Sequence, residues 1–282
     1  MARVRIVTDS TAELSRDIAD RLGITVIPLN VHFGHETFRD GIDMSPAEFY
    51  GRLRTANSLP FATAPPLHLL EETYRTLGRE TDDIVSIHLS AKLSETTALA
   101  KHAAASFIGQ RRIVVIDSLS TSLGQRALVV AAGEASQGGA TLDEVVRLVR
   151  GMIPHVYLVF FVESLEYLER GGRIGKAEAL LGTMLSIKPL LIIEDGEILP
   201  LEKVRTRSHG MDKLYEFITE FPHIEKISIL KGAHPIDPAE LLDRLRSTYP
   251  DRDIDVVTYG PVLATHLGPG AMGVFVYEGM SS

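Results

Sequence analysis

Residues 3–11, Arg3-Val4-Arg5-Ile6-Val7-Thr8-Asp9-Ser10-Thr11, run a short β-branched strand into a turn rich in hydroxyls, and a helical period follows over 12–22. The chain uses the same unit twice more. Residues 84–89 lead into Ser90-Ala91-Lys92-Leu93-Ser94-Glu95-Thr96-Thr97 and a helix to about 107, and residues 112–116 lead into Asp117-Ser118-Leu119-Ser120-Thr121-Ser122 and a helix over 123–136. Strands alternating with helices predict a mainly parallel sheet covered on both faces, and a short strand at 25–29 is expected to pair beside the first.

Outward from that frame the rhythm changes. Residues 32–66 read as an irregular excursion, interrupted by Gly34, Gly41, Pro46, Pro60, Pro65 and Pro66, with one short helix at 47–54. Thr141-Leu142-Asp143-Glu144 is a capping box opening a helix to 152, which Pro154 closes; the domain boundary is placed there. The second half offers a strand at 156–162, helices starting at 164 and 176, and a hairpin over 189–205 turning on Asp195-Gly196. It continues with a helix at 210–220, a strand at 226–231, a helix at 238–249, a strand at 254–259, a loop at 260–270 and a strand at 274–277. The expected fold class is therefore α/β with two domains: an N-terminal mainly parallel α/β domain, 1–154, and a C-terminal α+β domain with a mixed or antiparallel sheet, 155–282.

A length of 282 residues agrees with two domains. Twenty-nine basic against 37 acidic residues give a net charge of −8, which argues against nucleic acid or an anionic bilayer as a partner. With no cysteine, disulfides, thiolate nucleophiles and zinc-cysteine sites are excluded. The first residues read as a strand without a signal-peptide pattern, and no uncharged apolar run approaches a membrane span, so a cytoplasmic location without stable membrane insertion is expected.

Parallel strands deliver their following loops to one sheet edge, where helix N-termini converge, so the three hydroxyl turns suit a small anion such as a carboxylate or phosphate. Asp9, Ser10, Ser94, Thr96 and Ser118 are the candidates. The competing reading is helix capping: Ser10 with Glu13 has the spacing of a capping box, and Ser94 precedes a helix. A serine hydrolase would need an activated nucleophile, yet no G-x-S-x-G elbow occurs. Residues 170–177 fail the Walker A pattern at Arg170 and Ala177, and no G-x-G-x-x-G follows a strand into a helix. His32 and His35 lack a third ligand nearby, and no metal or other cofactor is assigned. His266, in a glycine-containing loop with Gly268, can donate to a carboxylate or hold the turn. Apolar runs at 127–132 and 177–193 serve a core, and could also wall a crevice for an amphiphilic ligand.

Four segments carry a specific resemblance: Ile6-Val7-Thr8-Asp9-Ser10-Thr11; Leu93-Ser94-Glu95-Thr96; the stretch from Ser164-Leu165-Glu166-Tyr167-Leu168-Glu169-Arg170-Gly171-Gly172-Arg173-Ile174 through Ile187-Lys188-Pro189; and Thr265-His266-Leu267-Gly268-Pro269-Gly270. In order and approximate spacing the chain resembles the DegV family over essentially its whole length. The resemblance implies a long-chain fatty acid, such as a palmitate-like acid, held between two domains with its carboxylate buried. It also implies a role as the binding subunit of a bacterial fatty acid kinase, presenting the acid to a separate ATP-binding subunit and performing no catalysis alone.

Carried over residue by residue, Thr63, Ser94 and His266 match the positions that meet the carboxylate. Arg170 and Arg173 match a basic pair expected near the partner subunit. Two departures stand out. The family's Thr-Ser-Gln-Pro-Ser motif reads Ala62-Thr63-Ala64-Pro65-Pro66, and Glu95 replaces a glycine beside the proposed carboxylate site, where it is expected to point to solvent. The alternatives are an acyl esterase or phosphotransferase using Ser94 with His266, and a regulatory relative with weakened lipid binding.

Overall fold

The computed structural model describes residues 3–181, 187–233 and 237–280. The strands in chain order are β1 (Arg5–Asp9), β2 (Ile24–Ile27), β3 (Asn30–Phe33), β4 (Glu36–Arg39), β5 (Phe61–Thr63), β6 (Asp83–His88), β7 (Arg112–Asp117), β8 (Val156–Phe161), β9 (Lys188–Glu194), β10 (Glu197–Val204), β11 (Lys226–Lys231), β12 (Ile254–Thr258) and β13 (Met272–Tyr277). The helices are α1 (Arg16–Leu22), α2 (Pro46–Leu53), α3 (Leu67–Leu77), α4 (Thr96–Ala105), α5 (Ser122–Gln137), α6 (Leu142–Met152), α7 (Glu166–Arg170), α8 (Arg207–Thr219), α9 (Ala239–Thr248) and α10 (Pro261–Leu267). The chain divides into two units, Met1–Asn30 with Thr63–Pro154 and Val31–Ala62 with His155–Ser282. One division falls after Pro154. Residues 31–62, expected in the N-terminal domain, instead group with the second unit.

In the first unit four strands pair in the order β2-β1-β6-β7, all parallel. Val7, Ile27 and Ile84 of this sheet pack against Leu70, Tyr74 and Leu77 of α3 and Ala100 and Ala103 of α4. The α3 residues are spaced four and three apart, a helical stripe left without an assignment in the sequence reading. The capping box of Thr141 and Glu144 forms as expected and opens α6. Ser10 and Glu13 form none: Asp9 caps a single 3-10 turn over Ser10–Ala12, Glu13 leaves it in the left-handed region at φ 51°, and α1 begins only after its own cap, Ser15. The aspartate wins because its ionised oxygen is a stronger acceptor for the first amide than a serine hydroxyl.

The second unit holds a mixed sheet ordered β10-β9-β8-β13-β11-β12, in which only β11 and β12 run parallel. Phe161, Leu190, Ile229 and Val274 of the sheet pack with Leu214 and Ile218 of α8 and Leu241 and Leu245 of α9. The excursion at 31–62 is more regular than its prolines and glycines imply. It contains α2, capped by Ser45 and Glu48, and contributes to a small sheet ordered β4-β3-β5. The expected loop at 260–270 is also helical: Pro261 starts α10 and Gly268 ends it, so these residues bound a helix rather than interrupt one. Of the helix expected from 176, a 3-10 segment over Gly175–Leu180 is seen, while 182–186 lie outside the described residues.

The hairpin between β9 and β10 forms as expected. Asp195 (φ 49°) and Gly196 (φ 78°) both occupy the left-handed region, the requirement of a type I′ turn. Pro200 is accommodated because β10 is an edge strand, and the register slips beside it. Gly196→Ala is expected to cost about 1 kcal/mol through left-handed strain, measured as a lower denaturation midpoint in urea.

Candidate functional site

The parallel order brings the C-terminal ends of β1, β6 and β7 to one edge of the first unit. Asp9, fully buried at the end of β1, organises that edge. One carboxylate oxygen accepts the Thr11 amide at 3.1 Å and the Thr11 hydroxyl at 2.5 Å; the other accepts His88 Nδ1–H at 2.9 Å and the Leu89 amide at 3.1 Å. His88 Nε2 lies 2.8 Å from Ser86 Oγ, and Ser86 accepts from the Tyr74 hydroxyl at 2.8 Å. Tyrosine, serine, histidine and carboxylate are therefore linked in one continuous buried chain of hydrogen bonds. Burial acts to raise the Asp9 carboxyl, but His88, the Thr11 hydroxyl and the Leu89 amide outweigh it and hold the group below its ordinary 3.8. Burial raises the Tyr74 phenol, against a smaller lowering by Ser86.

Sequence reasoning singled out Asp9 but missed Ser86, His88 and Tyr74. The available signal was the two-residue spacing of Ser86 and His88 in an otherwise apolar strand, which places both on one face. The serine, histidine and aspartate have the connectivity of a hydrolytic triad, yet all three are fully buried and Tyr74 covers the serine. On the far side of Asp9, Thr11 Oγ1 is 2.8 Å from the Gln125 side-chain amide, whose other end reaches Thr8 Oγ1 at 3.0 Å. The Thr11 hydroxyl thus lies between the Asp9 carboxylate and Gln125 Oε1, and the Gln125 NH₂ donates to Thr8.

At the β6–α4 turn, half-buried Ser94 accepts the Thr96 amide at 3.2 Å and lies 2.9 Å from the Thr96 hydroxyl. Thr96 is fully buried, and Glu95 is exposed as expected. Ser118 is engaged in its own turn, donating to the Ser120 carbonyl at 3.0 Å, and Ser10 accepts the Leu29 amide at 3.1 Å. Thr63 is exposed at the end of β5.

In the second unit two motifs interlock. A side chain at Gly171 would collide with the His266 ring, and one at Gly268, where φ is 71°, would meet the Tyr167 ring at 2.7 Å. Each glycine thus seats an aromatic side chain from the other segment. Tyr259 locks the corner, donating to the Gly268 carbonyl at 2.6 Å and accepting the Ala271 amide at 3.1 Å. His266 Nδ1 is buried without a hydrogen-bond partner among the described residues. Burial first, and the nearby Arg173 charge second, lower the imidazole from 6.5 to about 4, so it is neutral near pH 7. An unpaired lone pair costs less than an unpaired N–H, which assigns the proton to Nε2. Arg173 donates to the Gly171 carbonyl at 2.6 Å, and exposed Arg170 pairs with Glu166 at 3.0 Å. A cavity of about 680 Å³ in this unit is lined by Tyr50, Gly51, Leu53 and Arg54 of the α2 region, with Tyr167, Ala233 and Pro269. Among the described residues, no three His, Asp or Glu side chains are grouped to hold a metal.

The model of a family described as "Uncharacterised protein, DegV family" matches residues 3–279. The chain belongs to the DegV family. A DegV domain-containing protein of Streptomyces coelicolor is 39% identical, with 97% of this chain and 98% of that protein aligned. Among solved structures, a DegV family protein from Thermus thermophilus described as fatty acid binding superposes with a TM-score of 0.89 at 32% identity, covering 98% of this chain and 99% of that one. DegV of Bacillus subtilis, described as a fatty acid binding protein, gives 0.88 at 30%, covering 98% and 100%. The α/β fold, with one parallel and one mixed sheet, is that of DegV proteins. The interlocking glycines give the DegV motifs at 167–173 and 265–270 a physical basis, since neither segment can change size alone.

Asp9→Asn replaces an acceptor by an NH₂ that must face a donor, and is expected to destabilise the protein by about 3 kcal/mol in chemical denaturation. Because the native carboxyl is held low, its contribution is present above pH 3.8 and fades as pH falls through the lower native value; the variant lacks this acid limb. His266 behaves oppositely in origin. Between pH 6.5 and about 4 the unfolded chain takes up a proton that the native imidazole refuses, so stability declines through that window as pH falls. His266→Gln is expected to flatten it, and Gly171→Ala to displace the ring and move its NMR titration midpoint back toward 6.5.

Proposed function

We propose that this DegV protein binds a long-chain fatty acid, with Ser94 and Thr63 of the first unit and Nε2–H of His266 of the second as contacts for the carboxylate. The observation that carries the reading is the state of the Ser94 hydroxyl. Ser94 accepts the Thr96 amide and lies 2.9 Å from the buried Thr96 hydroxyl; with Thr96 as the donor of that pair, the Ser94 proton is left for an external acceptor at the N-terminus of α4. Fatty-acid binding described for the solved relatives supports the same ligand class. Transfer of an alkyl tail from water supplies about 0.8 kcal/mol per methylene and sets affinity, while the hydroxyls and imidazole select an acid over other head groups.

The protein acts as a carrier, offering the bound acid to a separate ATP-dependent kinase subunit from the cytoplasm, with Arg170 and Arg173 as docking residues. Exposure of Arg170 on α7, within the same interlock as His266, supports that assignment. Delipidated protein titrated with palmitate should bind one equivalent, and Ser94→Ala should weaken binding about tenfold, the value of one hydrogen bond to a charged acceptor. Mixed with an activated acyl ester, the protein should show no turnover. Hydrolysis abolished by Ser94→Ala would establish the esterase instead.

A further inference from the structure

Ser122, the last hydroxyl of the third turn and not among the candidates named from the sequence, opens α5. Its side chain is fully buried and its hydroxyl has no hydrogen-bond partner among the described residues, at the N-terminus of a helix 16 residues long. Thr121, the residue before it, provides no side-chain cap, so the positive end of the helix dipole is not neutralised from within the turn. A buried hydroxyl without an acceptor is unfavourable, and an orphan of this kind in a native fold marks a group that something else completes.

The surroundings identify the acceptor's chemistry. The turn that ends in Ser122 is tied to the turn that carries Ser94, the Ser90 amide donating to the Ser120 carbonyl at 2.8 Å. The first turn of α5 is fixed to the end of β1 through Gln125, which reaches Thr8 and Thr11. Ser94 and Ser122 therefore sit on consecutive, hydrogen-bonded turns of one sheet edge, each at the start of a helix. Two hydroxyl protons and two helix N-termini favour an oxyanion with more than one lone pair to share. We infer that Ser122 is a further hydroxyl donor to the carboxylate of the bound acid, engaging the second oxygen while Ser94 engages the first. This rests on the fatty-acid reading above and extends it from head-group affinity to head-group discrimination: a carboxylate uses both donors, an alcohol only one.

The backbone supplies a clean variant. Ser122 has φ 52°, a conformation that glycine adopts without strain, so Ser122→Gly removes the hydroxyl while leaving the fold at least as stable. Delipidated wild type, Ser122→Gly and Ser122→Ala are titrated with palmitate and with hexadecanol, and their unfolding temperatures are recorded. The expected result is a loss of about tenfold in palmitate affinity for both variants, hexadecanol affinity unchanged within about twofold, and an unfolding temperature for Ser122→Gly no lower than that of the wild type. Palmitate binding unchanged in Ser122→Gly overturns the inference, as does a parallel loss for acid and alcohol, which would mark a packing role or a structural water. Wild type that binds no palmitate overturns instead the fatty-acid reading itself.

Discussion

Asp9 is the point on which the first unit's functional edge hangs. Its two oxygens accept four donors from two different strand ends, so one buried charge fixes the turn after β1 and the start of the turn after β6 together. A neutral side chain of the same shape cannot do this, because it would present a donor where an acceptor is required. The relay through His88 and Ser86 to Tyr74 extends the anchorage into the helix α3.

The second unit is held by a different route, through shape rather than charge. His266 and Tyr167 are seated on glycines from each other's segments, and the Tyr259 hydroxyl closes the corner on the backbone. Keeping the imidazole dry also keeps it neutral, so its N–H can be offered without the cost of burying a cation.

Much of this was legible in the sequence where local chemistry decides structure. The three strand-turn-helix units, the Thr141 capping box and the Asp195-Gly196 hairpin all depend on neighbours in the chain, and each is present, the first unit with its helix starting at Arg16 rather than at residue 12. What could not be read depended on distant partners. His88 looks like an ordinary strand residue until β1 pairs beside β6 and delivers Asp9 to it. The glycine and proline neighbours of His266 resemble breakers and suggest a loop; only their spacing as start and stop of α10 tells otherwise. Ser10 was assigned a cap that Asp9, one residue earlier, takes by virtue of its charge.

The grouping of residues 31–62 with His155–Ser282 has a consequence for how the molecule is made. Phe49 and Tyr50 of α2 are buried, and the Tyr50 hydroxyl bonds the Tyr259 carbonyl 209 residues downstream. On the ribosome this segment emerges early, and its bond from Tyr50 to Tyr259 must wait until nearly the whole polypeptide has been synthesised. The N-terminal portion can close its parallel sheet over the interruption in the meantime, so the order of assembly is written into the interleaving of the chain.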